Sequence, residues 1–188
     1  MLTSEIIVSH LQGKVNISLV DAFKSVAVFD FDLHRLATDF LAKYLVTGCD
    51  ASEDSDQKPS FLVSDSRGGV YLMKAANDRV TVESRMSVGE AITGIAAWIP
   101  LDHGIGKKCN LFIGASSMGS IVAFLTGVDN GLFRNMERLQ KAMEAFLVQN
   151  GELSHFNYRC IYSPAYREPY INYVDASFIA GILDFDED

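Results

Sequence analysis

Two stretches of the chain repeat their apolar residues at helical spacing. Between Asp32 and Val46 these are Leu33, Leu36, Ala37, Phe40, Leu41, Tyr44 and Leu45, a stripe along one helix face. Asp32 suits an N-cap there and Gly48 a stop. Between Asn130 and Gln149, Leu132, Phe133, Met136, Leu139, Met143, Phe146 and Leu147 share a face. Glu137 and Lys141 stand four apart on the other side. Asn150 and Gly151 then end the helix. A third helix is expected from Ser87 to Trp98: Ser87 and Glu90 have capping-box spacing, and Pro100 marks the end.

Short apolar runs bounded by turn residues predict strands at 25–31, 61–64, 70–74, 79–83, 111–115, 158–162, 170–174 and 178–185. Arg67-Gly68-Gly69 and Ala76-Asn77-Asp78 separate consecutive short strands, the spacing of an antiparallel meander. The strands come in runs and do not alternate with helices. The expected class is therefore α+β, a mainly antiparallel sheet with three to four helices packed on it. At 188 residues the chain suits one domain, 1–188. The polar stretch from Gly48 to Ser60, rich in acids and closed by Pro59, is expected as a solvated loop.

Charge narrows the choice of partner. Sixteen Lys and Arg against 24 Asp and Glu leave a formal charge of −8. The longest basic run is Lys107-Lys108, so phosphate-backbone binding has no basic stripe to rest on. Nucleic acid and an anionic membrane surface are not expected partners. Cys109 to Val128 carries no charge and is long enough to cross a bilayer. Its two apolar blocks are divided by Ser116, Ser117, Gly119 and Ser120, which fits a strand, a turn and a second element better than a span. No secretory signal is expected at the N-terminus. The three cysteines, Cys49, Cys109 and Cys160, are far apart and odd in number. That spacing opposes a disulfide framework or a zinc site and suits the cytoplasm. The mean hydropathy of +0.12 is high for so acidic a chain. It fits either a large core or an apolar subunit interface.

Two short segments carry candidate chemistry. Val26 to Phe29 lead into Asp30 and Asp32 at a strand end, before an expected helix. This resembles the first motif of haloacid dehalogenase-like phosphohydrolases. The resemblance implies Asp30 as nucleophile on phosphorus, Asp32 as general acid/base and a magnesium ion between carboxylates and phosphate. It further implies Ser116 after the strand at Leu111, Lys141 as the phosphate-facing cation, and Asp184 and Asp186 as late acids near the metal. The family's Gly-Thr after Asp-x-Asp is replaced by Leu33-His34, and the same carboxylates serve equally as a strand end and a helix cap. Ala115 to Gly119 looks like the nucleophile elbow of α/β-hydrolases, with Ser117 as nucleophile and Asp129 and His155 as its downstream partners. The antiparallel meander upstream is not the parallel sheet that this fold requires.

Tyr158, Tyr162, Tyr166, Tyr170 and Tyr173 crowd one segment, with Pro164 and Pro169 between them. Tyrosine is apolar with a polar tip and is enriched where proteins meet. The favoured reading is a non-catalytic structural or assembly protein that binds itself or a protein partner, with those tyrosines at the interface. It needs no cofactor and no metal. A viral or phage component would fit such a chain. The alternatives are the magnesium-dependent phosphohydrolase, using Asp30, Asp32, Ser116 and Lys141 with Asp184 and Asp186, and a small-molecule-sensing module.

Overall fold

The computed structural model describes residues 5–11, 14–21, 25–30, 35–41, 46–53, 59–76, 79–102, 108–151, 155 and 171–181. Eleven strands and two helices are placed among them. The strands are β1 (Glu5–Leu11), β2 (Lys14–Asp21), β3 (Ser25–Asp30), β4 (Arg35–Leu41), β5 (Val46–Glu53), β6 (Pro59–Asp65), β7 (Gly69–Ala76), β8 (Arg79–Ser87), β9 (Ile92–Asp102), β10 (Lys108–Ser116) and β11 (Ile121–Thr126). The helices are α1 (Asn130–Gln149) and α2 (Ala176–Ala180).

Each sheet is a meander of consecutive strands. β1 to β4 pair antiparallel in order, and so do β5 to β8. One parallel bridge, Thr38 to Arg79, joins the last strands of these two sheets. β9, β10 and β11 form a third antiparallel sheet. The first strands approach one another, with β5 against both β1 and β9. Successive four-stranded meanders arranged around their first strands are the building plan of β-propeller blades.

The second sheet carries a buried cluster on each face. Along β6 every residue from Ser60 to Asp65 is buried, the near-continuous run of a strand covered on both sides. Phe61 and Val63 join Cys49, Tyr71 and Met73 in one core cluster. Leu62 points the other way and joins Val70, Met86, Ile92, Phe112 and Phe124. This second cluster glues the second sheet to the third. A polar seam runs beside it: the Ile92 carbonyl accepts from Thr47 Oγ1 at 2.6 Å and from Ser64 Oγ at 2.9 Å. The β6–β7 hairpin is fixed by Asp65. Its Oδ1 accepts from the Arg67 and Gly69 amides, and its Oδ2 from the Tyr71 hydroxyl at 2.9 Å. The turn occupies residues 66–68, one residue earlier than the expected Arg67 to Gly69.

The structure overturns the α+β reading: the described residues form mostly antiparallel sheets with two helical elements, not three to four helices packed on a sheet. The stretch expected as a helix from Asp32 to Val46 supplies β4 and the start of β5. Register shifts between Val26 and Phe29 break the two-residue alternation in the β3–β4 pair. A bulge of this kind turns a strand pattern into one that imitates helical spacing. The expected helix from Ser87 to Trp98 is a turn followed by β9. Ser87 Oγ accepts from the Gly89 amide at 3.4 Å, inside the turn. Pro100 lies on the edge strand β9, where the register to β10 shifts between Cys109 and Leu111. An edge strand or bulge is where proline is tolerated in a sheet. The acidic loop is shorter than expected, since β5 runs through Glu53 and β6 begins at Pro59. In place of strand 178–185, α2 occupies Ala176–Ala180, and the strand expected at 170–174 contributes only one bridge, Ile171 to Arg85. Tyr158 to Tyr162 lies outside the described residues.

The helix from Asn130 to Gln149 has the expected bounds. Its cap is Asp129, whose Oδ1 accepts from the Gly131 and Leu132 amides. The uncharged stretch Cys109 to Val128 is the β10–β11 hairpin. No helix is long and apolar enough to cross a membrane among the described residues.

Candidate functional site

The third sheet has two unlike faces. Asn110, Phe112, Gly114 and Ser116 of β10 point inward and are buried. Leu111, Ile113 and Ala115 point outward. The register sets them directly opposite Leu125, Ala123 and Ile121 of β11. Ile121 is 80% exposed and Leu125 49%. Ala96 of β9, opposite Ile113, extends the same face and is also exposed. The result is an apolar face with no charged side chain among these residues, on a sheet whose other face is core. Met118, 74% exposed, stands at the adjoining turn. Seven outward side chains, all apolar, are unusual on a sheet face open to water.

The β10–β11 turn is rigid. Ser116 Oγ donates to Glu90 Oε2 at 2.6 Å and accepts from the Met118 and Ser120 amides. The Ser117 amide donates to the Ala91 carbonyl at 2.8 Å. Ser116, assigned to phosphate by the phosphohydrolase resemblance, therefore ties this turn to the β8–β9 connection. Ser117, the expected elbow nucleophile, is exposed at the turn.

The other candidate residues are dispersed over the fold. Asp30 ends β3, opposite Asn16. Lys141 is on the outer side of α1 and pairs with Glu137 at 2.6 Å. Asp129 caps α1, and the carboxylate beside His155 is that of Asp175. Asp32, Asp184 and Asp186 lie outside the described residues, as do Tyr158, Tyr162, Tyr166 and Tyr170. Tyr173 is half-buried and packs against the second core cluster. No group of three or more His, Cys, Asp or Glu side chains suited to a metal occurs among the described residues.

His155 is 1% exposed and lies 2.7 Å from Asp175 Oδ2 through Nε2. Asp175 Oδ1 caps α2 by accepting from the Ser177 and Phe178 amides, and the Asp175 amide donates to Gln140 Oε1 at 2.6 Å. The imidazole also contacts the Phe178 ring, centroids 4.5 Å apart. A general base must reach the proton it removes, and a ring buried this deeply cannot meet a substrate. The constellation fastens α2 to α1. From there the chain straps the edge of β8: Arg85 and Ile171 exchange both backbone hydrogen bonds, and the Asn172 side chain donates to the Glu83 carbonyl.

Sequence reasoning missed the outward sheet face. Its signal was present in the uncharged length of Cys109 to Val128, but apolar residues on both faces erase the alternation that identifies a half-buried strand. The His155–Asp175 pair had no sequence signal, because twenty residues of separation match no motif.

The described residues thus form successive antiparallel meanders, the last of which turns an apolar face outward. The chain belongs to the CPSF A subunit region family, whose model matches residues 2–186. No curated protein matches the chain.

Proposed function

We propose that the protein is a non-catalytic assembly component that self-associates through the outward face of its third sheet. The observation that carries this is the apolar patch of Leu111, Ile113, Ala115, Ile121, Ala123 and Leu125. A second copy suits it because these residues hold no charge that a like face would repel, and two sheets can pack face to face through their apolar sides. Membership of a protein-interaction family supports the same reading. The charge of −8 favours protein over phosphate-backbone partners. The odd number and wide spacing of Cys49, Cys109 and Cys160 fit residence in the cytoplasm.

Light scattering across a concentration series tests it. The native chain is expected to be a dimer or larger, and Leu125→Asp, which places a charge in the patch, is expected to be monomeric with an unchanged far-UV spectrum. A native chain that stays monomeric at every concentration overturns self-association.

A further inference from the structure

The third sheet stops at three strands, where the meanders β1 to β4 and β5 to β8 each have four. Its outer strand is β11, and no strand pairs with the far side of β11 among the described residues. The hairpin fixes which backbone groups this edge presents. The Ser116 amide donates to the Ser120 carbonyl at 2.9 Å, so these residues are a hydrogen-bonded pair. Such pairs recur at every second position of an antiparallel ladder. The register continues without a shift through Gly114–Val122, Phe112–Phe124 and Asn110–Thr126. The N–H and C=O groups of Ile121, Ala123 and Leu125 therefore point away from β10. A row of such groups is a template for another strand, and natural edges blunt it with Lys, Pro or a bulge. The sequence of β11, Ile-Val-Ala-Phe-Leu-Thr, has neither Lys nor Pro, and its ladder has no bulge.

We propose that the β11 edge pairs antiparallel with the β11 edge of a second copy, about a twofold axis at Ala123. This rests on the reading that the chain self-associates and gives that association a strand-to-strand contact. The open groups select the occupant. They lie at three alternate positions centred on Ala123, so the axis sets Ile121 opposite Leu125 of the second copy and Ala123 opposite its own equivalent. Each such pair exchanges both N–H···O bonds, and no open group on either edge is left over. Ala123, the smallest side chain of the strand, meets its equivalent on the axis, while Ile121 and Leu125 pack across it. No residue of β11 is charged, so the two edges do not repel. The outward faces of the two sheets then join into one apolar surface. A twofold contact is closed, so this edge takes one copy and no more.

The test is amide hydrogen exchange on the whole chain, read by NMR below and above the concentration at which it associates. The amides of Ile121, Ala123 and Leu125 are expected to slow at least about tenfold on association. Those of Val122 and Phe124, already bonded to β10, should change far less. Leu125 belongs to both the face and the edge, so two exposed alanines of one cross-strand row separate them: Ala123 on β11 and Ala96 on β9. Ala123→Lys sets like charges together on the axis and should abolish the slowing, and an equal mixture with Ala123→Glu should restore it. Ala96→Lys places the same charge on the same face two strands away and should keep the slowing. Slow exchange of the three amides at every concentration overturns the proposal, since the edge is then covered within one chain. Association without slowing at these amides also overturns it; if Ala96→Lys abolishes that association, the face reading stands alone. A chain monomeric at every concentration overturns both readings.

Discussion

Gly68 sits in the β6–β7 turn with φ of 82°, in the left-handed region that side chains disfavour. A Cβ there would lie 2.8 Å from both the backbone nitrogen and the carbonyl oxygen of Glu90. The turn needs this closeness, because the Gly68 carbonyl accepts from the Val88 amide at 2.9 Å. Gly119 has a similar φ of 89° but nothing within 4 Å of its Cβ position. Gly119→Ala is expected to cost about 1–2 kcal/mol, the left-handed penalty alone. Gly68→Ala should cost clearly more, because backbone cannot move aside as a side chain can. Denaturant titration of the two variants measures the difference, and equal midpoints would mean that the β6–β7 turn does not touch the β8–β9 connection.

At the scale of elements, the C-terminal strap depends on one buried imidazole. His155→Ala would leave Asp175 without its contact to Nε2 while keeping the α2 cap residue in place. Losing a buried partner of a carboxylate costs about 1.5–3 kcal/mol. The amides of Ser177 and Phe178 should then exchange hydrogen at least about tenfold faster, while those of Phe61 to Val63 keep their native rate. Uniform acceleration across both regions would show that the strap and the sheets open together. The elements differ in how far the sequence discloses them. α1 was legible because an isolated helix states its whole pattern locally, cap included. The β6–β7–β8 meander was legible because its turns carry Gly, Asn and Asp. β4 was not, since its strand identity depends on β3 and on the register shifts between them. Nor was β9, whose Ser87 and Glu90 imitate a capping box while serving a turn and the Ser116 hydroxyl. The open sheet face stayed hidden for a related reason: which of two apolar faces is covered depends on residues far away in the chain.

At the scale of the molecule, the second sheet is the keystone. Its two faces hold separate clusters, and the one shared with the third sheet centres on Phe112, Ile92 and Leu62, all essentially inaccessible. Truncating a buried phenylalanine costs about 3–5 kcal/mol. Phe112→Ala is therefore expected to lower thermal stability steeply, read by calorimetry. Phe146→Ala, at an exposed position of α1, should fall near the surface range of about 0.5 kcal/mol. A small loss at Phe112 would mean that the second and third sheets are not stacked.

The polar seam between these sheets also limits how the sequence can change over time. A Cβ at Gly48 would come within 3.0 Å of Ser64 Oγ and 3.3 Å of Ile95 Cγ1. Any larger residue at 48 pushes Ser64 away from the Ile92 carbonyl, and any larger residue at 64 collides with the strand at 48. Positions 48, 64 and 95 thus share one volume, filled once. Substitutions there succeed in compensating sets, so related chains that differ at one of the three should differ at another.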